Sequence, residues 1–344
     1  MDRRNFIKGA TAAAALTPAF ARYSAADEAA DYEAAKKEGE VVWYTAHFDS
    51  QTAEAIGNAF AKKYPGVAPR VTRVTAQVAF QRLSQELRVG VIECDVFSST
   101  DIGHFVRLKP QGVFLKWTPP LADKVLPQFI GLDPDGEYFI TAAGLICLTY
   151  NKNKVKEADL PANWPDLCEP KWKDQVSLGH PAFSGYVGTW VVEMRKLYGW
   201  QFFEKIKLNN PQIGQSINDT VTMLNAGERS IAAGPEALTL ETASRGNPLG
   251  VIYPGDGALL MVSPSAIMKE SKRPHAAKLL MNFLMGPEAN QAIVDKFGDS
   301  IWPGLKPATG AKPLDQVKTI RPTVDEIVAG IPEVIKQWRD TFGV

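Results

Sequence analysis

The sequence contains little cysteine and none of the spacings by which cysteine and histidine bind zinc. Its three cysteines are Cys94, Cys147 and Cys168, and no CxxC or CxxH pattern occurs. A structural zinc site is therefore not predicted. The odd number excludes complete pairing within the chain. Cys94 and Cys147 lie in the apolar stretches VIECDVF and GLICLTY, where a cysteine is expected to act as a small buried hydrophobic residue.

The sequence also lacks the local motifs of the common enzyme classes. No GxSxG, HExxH, GxxxxGK[ST] or GxGxxG pattern is present, which removes the usual signals of hydrolases, zinc proteases and nucleotide-binding enzymes. Four histidines occur in the chain, and a Ser-His-Asp arrangement could be composed only from distant residues. We therefore predict no enzyme, no catalytic residue and no cofactor. An exported enzyme acting on a small acidic metabolite is the alternative from another class.

No charge of either sign is in excess. The chain has 38 Lys and Arg against 38 Asp and Glu, which gives a net charge of zero. Cleavage after Ala21 would remove three cations and one anion, leaving a charge near −2. Nucleic acid binding normally requires a basic excess, so a nucleic acid is not an expected partner. Hydrophobic residues at 45% and charged residues at 22% are ordinary values for a globular protein.

The apolar run near the N terminus is too short to span about 30 Å of hydrocarbon. Positive residues precede this run, and it finishes in the small-residue sequence Ala19-Phe20-Ala21, which is the order of an export signal. The start Arg3-Arg4-Asn5-Phe6 resembles the twin-arginine signal, and the general secretory path stays open. We predict an export signal over residues 1–26, cleaved after Ala21 or alternatively after Ala26, and a soluble periplasmic protein.

The length of 344 residues exceeds what one hydrophobic core usually serves, so two lobes are expected. After the signal, strand patterns (EVVWYTA, VTRVTA, CDVFSST) alternate with helical ones (SQTAEAIGNAFAKKYPG, FQRLSQELRVG). This βαβαβ order predicts an α/β fold with mixed, mainly parallel sheets and functional loops at the carboxyl ends of the strands.

A long apolar run over 139–150, FITAAGLICLTY, is typical of a buried strand that passes from one lobe to the other, and GALLMVSPSAIM reads as a return strand. We therefore assign residues 27–141 and 257–344 to the first lobe and residues 142–256 to the second. The tail PTVDEIVAGIPEVIKQWRDTFG predicts two amphipathic helical pieces.

Small hydroxylated or glycine residues precede a predicted helix at three corners. These corners read Tyr44-Thr45-Ala46-His47, Ser98-Ser99-Thr100-Asp101 and His180-Pro181-Ala182-Phe183-Ser184-Gly185-Tyr186-Val187-Gly188. Unpaired backbone N–H groups and the helix dipole attract an anion at such a place, although Ser and Thr are also ordinary helix caps. Because the corners come from both halves of the chain, we expect them to face each other across a cleft.

The chain resembles the bacterial extracytoplasmic solute-binding proteins, and within them the ferric-iron and phosphonate branch of the two-lobed type II periplasmic class. The segments that carry the resemblance are VVWYTA, DVFSSTDIGHFVRLKPQGV, LTYNKNKV, NWPDLCEPKWKDQVSLGHPAFSG, NAGERSIAAG and KRPHAAKLLMNFLMGPEANQ. The resemblance implies two lobes joined by crossover strands, ligand capture between them, and delivery to an ATP-driven (ABC) importer in the inner membrane.

The chain departs from the iron-binding members at one position. Those members place adjacent tyrosines after the strand that corresponds to SIAAG, whereas this chain reads Gly234-Pro235-Glu236-Ala237. Ferric iron prefers hard anionic oxygen donors, so the missing phenolates remove its main ligands. A single imidazole, His47, does not make an iron site. Ferric-iron binding is therefore kept as an alternative, and a metal site is not predicted.

We predict a monomeric receptor for a small organic anion: a phosphonate, a carboxylate or a phosphorylated compound. Hydroxyls and N–H groups at the corners would bind the acidic end by charge-assisted hydrogen bonds, Glu236 could recognise an amine or hydroxyl at the other end, and Tyr150 and Tyr186 could give apolar cover. The predicted ligand-binding residues are Ala46, His47, Ser98, Ser99, Thr100, Tyr150, Ser184, Gly185, Tyr186 and Glu236.

Overall fold

The computed structural model describes residues 25–344. The predicted export signal lies outside the described residues, except for Ala25 and Ala26, which begin the first helix. Within the described range, no helix combines the length and the apolar character needed to cross a bilayer.

Ten strands in the described part of the chain form one open sheet. They are β1 Glu40–Thr45, β2 Ala68–Arg73, β3 Val96–Ser98, β4 Phe139–Asn151, β5 Val176–Leu178, β6 Gln212–Ile213, β7 Ile231–Pro235, β8 Leu249–Ile252, β9 Ala258–Ile267 and β10 Thr319–Ile320. The strand order is β2-β1-β3-β9-β4-β7-β5-β6, with β8 paired to β4 and β10 paired to β9.

Eleven α-helices of the described residues surround this sheet. They are α1 Ala25–Glu38, α2 Ser50–Lys63, α3 Ala76–Val89, α4 Ile102–Leu108, α5 Gly185–Tyr198, α6 Gln201–Leu208, α7 Ile217–Asn225, α8 Glu236–Ser244, α9 Pro274–Met285, α10 Pro287–Val294 and α11 Val324–Phe342. The predicted α/β fold class is confirmed, with parallel pairs on both sides of an antiparallel centre.

The predicted long buried strand is confirmed as β4. It runs for 13 residues and pairs antiparallel with β9 from Phe139 to Ile146. Together β4 and β9 stand at the centre of the strand order, with β1, β2 and β3 on one side and β5, β6 and β7 on the other. The lobe boundaries at residues 141/142 and 256/257 stay a prediction.

Local sequence signals explain where the site-forming helices begin. The Asp49 carboxylate accepts hydrogen bonds from the N–H groups of Gln51 and Thr52, at 2.7 and 3.1 Å, and so caps α2. Helix α3 begins at Ala76, four residues earlier than the pattern FQRLSQELRVG predicts, because Thr75 takes an extended N-cap conformation. The first turn of α3 therefore lies directly beside the end of β2.

The C-terminal tail forms one helix instead of the predicted two pieces. Pro332 lies inside α11, but the helix continues to Phe342. A proline removes one intrahelical hydrogen bond, whereas the buried face of α11, which includes Ile331 and Trp338, packs on α5 and α6. Trp338 lies 5.7 Å from Phe203 in an edge-on ring contact. This packing stabilises α11 as one element and fixes the position of α5 at the site.

Candidate functional site

The carboxyl ends of three parallel strands form one wall of the site. Strand β1 pairs in parallel with β2 and β3. His47 follows β1, Arg73 ends β2, and Thr100 follows β3. Because parallel strands point in the same direction, their ends lie at the same edge of the sheet, and all three residues line one cavity.

The N termini of two helices form the opposite wall. Ser184 is the N-cap of α5 and Ser216 is the N-cap of α7. The backbone of Gly185 packs directly against Thr100, since a Cβ added to Gly185 would lie 2.5 Å from the carbonyl carbon of Thr100. Only glycine permits this approach. With His47 of the remaining corner 3.2 Å from the Tyr186 hydroxyl, all three predicted corners meet in the structure.

We call the space between these walls the Arg73 cavity. It is lined by Ala46, His47, Arg73, Thr75, Ala76, Thr100, Ser184, Tyr186, Ser216, Ile217 and Asn218. Its volume of about 10 Å³ is roughly that needed to hold one water molecule. The walls are thus close together, and a larger occupant requires them to separate.

Arg73 is a half-buried cation without a salt bridge among the described residues. Its Nε donates a hydrogen bond to the carbonyl oxygen of Phe48 at 2.5 Å, and Asp49 and Asp219 act on it only through longer-range attraction. Burial lowers the pKa of Arg73, but a guanidinium stays charged at neutral pH. A half-buried positive charge of this kind favours an anion in the cavity.

The helix N termini add hydrogen-bond donors around Arg73. The side chains of Thr75 and Ser184 accept no capping hydrogen bond from the first turns of α3 and α5. The Ser216 hydroxyl accepts from the Asn218 N–H at 3.2 Å. The first N–H groups of an α-helix have no intrahelical partner, and the helix dipole makes this end positive. The cavity therefore combines a cation with donors from opposite walls.

A second cavity lies on the other side of His47 and Tyr186, and we call it the Asp299 cavity. Its volume is about 50 Å³, and it shares His47, Tyr186, Ile217 and Asn218 with the Arg73 cavity. Its other lining residues are Phe48, Asp49, Thr52, Ala143, Gly144, Leu145, Pro235, Ala237, Leu238, Lys296, Gly298 and Asp299. The two cavities are thus neighbours with a common wall.

His47 and Tyr186, in the common wall, are polar side chains that carry no charge. His47 Nε2 lies 3.0 Å from the Ala143 carbonyl oxygen and donates to it, and burial lowers the pKa of His47 to about 4. The Tyr186 hydroxyl lies 3.2 Å from the same nitrogen, and burial raises the pKa of the phenol. A Cβ on Gly144 would lie 2.6 Å from that hydroxyl. Glycine at position 144 thus leaves the room that Tyr186 occupies.

Two buried carboxyl groups lie side by side at the Asp299 cavity. Asp299 is 8% exposed and lines the cavity, whereas Glu236 is fully buried and accepts a hydrogen bond from the Tyr253 hydroxyl. Burial raises the pKa of Glu236 to about 7. Burial and the neighbouring Glu236 raise the pKa of Asp299 well above its ordinary value. Adjacent buried carboxyls cannot both ionise readily, so the pair retains a proton.

The structure brings together about half of the residues that the sequence predicts for the site. Those that line the Arg73 cavity are Ala46, His47, Thr100, Ser184 and Tyr186. Gly185 lies beside them, against Thr100.

The remaining four predicted residues line neither cavity. The Ser98 hydroxyl accepts from Trp43 Nε1 at 2.8 Å, and the Ser99 hydroxyl lies 2.8 Å from His104 Nδ1, so both serines turn into the interior. Tyr150 lies on β4 roughly 20 Å beyond Gly144, at about 3.3 Å per strand residue. Glu236 is placed behind Asp299.

Sequence reasoning missed Arg73, Thr75, Ser216, Asn218 and Asp299. Two signals were present for the first four: the polar residues Arg73 and Thr75 within the strand pattern VTRVTA, and the sequence Ser-Ile-Asn-Asp, which forms a capping box at α7. Asp299 follows α10 in an irregular segment and has no local signal.

Within the described residues, no group of three or more His, Cys, Asp or Glu could hold a metal ion, and the three cysteines are free.

A mixed sheet with two long central strands, and a polar cavity enclosed by strand ends and helix N termini, define a binding protein of the periplasmic type II fold. The model of the family "Bacterial extracellular solute-binding protein" matches residues 94–328. Because this match covers more than half of the chain, the protein belongs to that family.

Solved structures with the same fold include proteins with different ligands. Iron-bound HitA from Pseudomonas aeruginosa has a TM-score of 0.74 at 22% identity, covering 88% of this chain and 99% of that chain. The periplasmic binding protein AfuA from Actinobacillus pleuropneumoniae, with fructose-6-phosphate bound, has a TM-score of 0.78 at 19% identity, covering 89% and 99%. The substrate-binding protein of an ABC transporter from Agrobacterium tumefaciens has a TM-score of 0.78 at 13% identity, covering 88% and 94%. These likenesses show the fold.

A curated relative from Haemophilus influenzae is an uncharacterized protein. It is 26% identical over 153 residues, which are 43% of this chain and 44% of the relative. The chain thus spans less than half of the length of that relative.

Proposed function

We propose that the protein is the periplasmic solute-binding component of an ABC importer and binds a small organic anion in the Arg73 cavity. The anion is a phosphonate, a carboxylate or a phosphorylated compound, and the partner is an inner-membrane permease. One observation carries the proposal. Arg73 is half-buried, has no salt bridge among the described residues, and faces the helix N termini at Thr75 and Ser184.

The chemistry of the cavity matches the acidic group of such a solute. A guanidinium offers a planar fork of donors that fits two oxygens of a carboxylate or phosphoryl group. The hydroxyls of Thr100 and Ser184, from opposite walls, are positioned to donate to the same group. N–H groups at helix ends are fixed in the folded protein, so little ordering entropy is lost on binding.

The small volume of the cavity gives a mechanism of capture. A solute must enter while the walls are apart and gains contacts with both walls only when they meet. Its binding free energy therefore favours the closed form, in which Gly185 touches Thr100. The monomeric closed receptor is the form that the permease recognises, and no covalent step is needed.

The same cavity argues against ferric iron as the cargo. Iron requires several hard anionic oxygen ligands, whereas Arg73 brings a positive charge to the site. His47 Nε2 already donates to Ala143. Phosphorylated cargo has a precedent for this fold in AfuA, whose structure holds fructose-6-phosphate.

Thermal unfolding with a panel of solutes tests the proposal. Phosphonates, carboxylates and sugar phosphates are each added to the mature protein, with the corresponding alcohols as neutral controls. An anion that binds the folded state raises the melting temperature by mass action, by about 2.7 kcal/mol of stability at a hundred times Kd. The alcohols should leave it unchanged.

Two other outcomes would replace the proposal. Stabilisation by ferric ion alone would assign the protein to iron transport. Recovery of the added anion in chemically altered form would indicate an exported enzyme. Mass spectrometry of the small molecule that copurifies with the protein identifies the solute directly.

A further inference from the structure

Four polar side chains join α8 to α2 and to the segment that follows α10. Arg245 Nη2 donates to Gln51 Oε1 at 2.7 Å, across 194 positions of the sequence, and to Glu241 Oε1 at 2.7 Å. Lys296 Nζ lies 3.3 Å from the same oxygen of Glu241 and donates to it. We call the group formed by Gln51, Glu241, Arg245 and Lys296 the Glu241 latch.

The latch connects the two lobes that we assign from the sequence. Gln51 and Lys296 belong to the residues of the first lobe, whereas Glu241 and Arg245 belong to the second. Helix α10, which precedes Lys296, packs on α2, whereas α8 packs on β7 and β8. The bonds from Arg245 to Gln51 and from Lys296 to Glu241 are therefore made only while these two parts of the chain are close together.

The latch lies one helical turn from the lining of the Asp299 cavity. Ala237 and Leu238 of α8 line this cavity, and Glu241 follows them by four and three positions, on the same face of the helix. Lys296 also lines the cavity, but Glu241 lines neither of the two cavities. Glu241 thus binds the edge of the site together without lining its interior.

The burial of Glu241 makes the latch effective, and its bond to Arg245 makes it reversible. The Glu241 side chain is only 6% exposed, and salt screens a buried charge less than an exposed one. Arg245 stays bonded to Glu241 when α8 moves, because the two residues are four positions apart at the end of one helix. Opening therefore breaks the contacts to Lys296 and Gln51 without leaving the buried carboxylate without a cation.

We propose that the Glu241 latch stabilises the closed form of the protein by contacts that do not involve the solute. The inference rests on the proposed function, because it takes capture to proceed by closure of the two walls. An equilibrium between two forms shifts by the difference in the contacts that each form makes. Because the latch joins the two walls only in the closed form, it raises the affinity for every solute by the same factor.

Titration calorimetry of latch variants with the panel of solutes tests this inference. Glu241→Gln should weaken the binding of every solute that the wild type binds, by one common factor of about threefold to fivefold, which corresponds to the loss of one ion pair. Lys296→Gln should weaken binding of the strongest anion by a similar factor. The double variant should bind less than twofold more weakly than Glu241→Gln alone, because both changes break the same contact.

Glu93→Gln is the matched control for Glu241→Gln. Glu93 also forms an ion pair with a lysine, Lys272, at 2.6 Å, but neither residue lines a cavity of the site. The affinity of Glu93→Gln for each solute should equal that of the wild type.

X-ray scattering of the solute-free proteins measures the latch without a solute. Glu241→Gln and Lys296→Gln should have a larger radius of gyration than the wild type, because their equilibrium shifts towards the open form. Glu93→Gln should keep the radius of the wild type. Cooperative urea unfolding shows that the enlarged variants are folded.

The outcomes separate the latch from the anion site. If no solute of the panel binds to the wild type, the proposed function is wrong, and scattering alone tests the latch. If solutes bind and Glu241→Gln loses no affinity, or loses it for one class of solute only, the latch is wrong and the anion site stands. Fully additive losses in the double variant, or equal radii for the wild type and both single variants, would also overturn the latch.

Discussion

Replacing Arg73 by glutamine should weaken binding of the acidic solute strongly while leaving the folded protein intact. The side chain is half-buried and has no salt bridge among the described residues, so its charge is available to the ligand. A hydrogen bond to a charged group contributes about 1.5 to 3 kcal/mol. Two such bonds from the guanidinium fork, partly screened by solvent, give about 3 kcal/mol, or on the order of a hundredfold in Kd.

Titration calorimetry with the strongest anion from the panel measures this loss. Arg73→Lys keeps the charge but loses the fork, and it should give an intermediate affinity. Arg70→Gln is the matched control, because Arg70 lies on the same strand and pairs at the surface with Glu40 at 3.1 Å. Its affinity should equal that of the wild type. Unfolding of the free Arg73→Gln protein should differ by only about 1 kcal/mol, for the lost bond to Phe48.

An affinity of Arg73→Gln within threefold of the wild-type value would refute this reasoning. The same conclusion would follow if Arg70→Gln lost as much affinity as Arg73→Gln. In either case the acidic group would be bound somewhere other than beside Arg73.

Three further predictions follow from named contacts. Gly185→Ala places a methyl group 2.5 Å from Thr100, so closure should be hindered, with at least a tenfold loss of affinity and a smaller ligand-induced contraction in X-ray scattering. His104 is fully buried and its pKa is lowered to about 4 from 6.5. Because His104 stays neutral in the folded protein, it contributes stability above pH 6.5 that is lost as the pH falls towards 4. In urea unfolding, His104→Gln should reduce the change in the free energy of unfolding over this pH range by about 3 kcal/mol. Glu236 has its pKa raised to about 7 from 4.5. Its contribution is present below pH 4.5 and is lost as the pH rises to about 7, so Glu236→Gln should gain stability relative to the wild type over that range.

Each of these predictions has a clear contrary result. Normal contraction of Gly185→Ala would mean that the walls do not meet at Thr100. If the free energy of unfolding of His104→Gln falls with acid as steeply as that of the wild type, His104 is not held neutral in the folded protein. A stability difference between Glu236→Gln and the wild type that does not vary with pH would exclude the shared proton.

The sheet could be predicted from the sequence because its signals are local. The run over 139–150 is apolar at nearly every position, which is the pattern of a strand buried on both faces, and it forms β4. The corner before α5 could be predicted for the same reason, since small residues directly precede an apolar helical pattern. The single helix α11 could not be predicted, because the effect of Pro332 is outweighed by tertiary packing of Trp338.

The candidate site was only partly predictable because side-chain direction depends on distant residues. Ser99 and Thr100 are adjacent in one corner, yet Thr100 lines the cavity, whereas Ser99 is bonded to His104 in the interior. Asp299 and Glu236 are 63 positions apart, and only the folded chain places their carboxyl groups side by side. Arg73 occupies an ordinary strand pattern, and its importance comes from the absence of a salt-bridge partner within residues 25–344, which a local pattern cannot show.

A crystal structure of the mature protein with the molecule that copurifies with it tests the central claim most directly. We expect density for the acidic group within hydrogen-bond distance of Arg73, contacted from one wall by Thr100 and from the other by Ser184. Density for the ligand on another surface, or a metal ion in the cleft in place of an organic anion, would contradict the account.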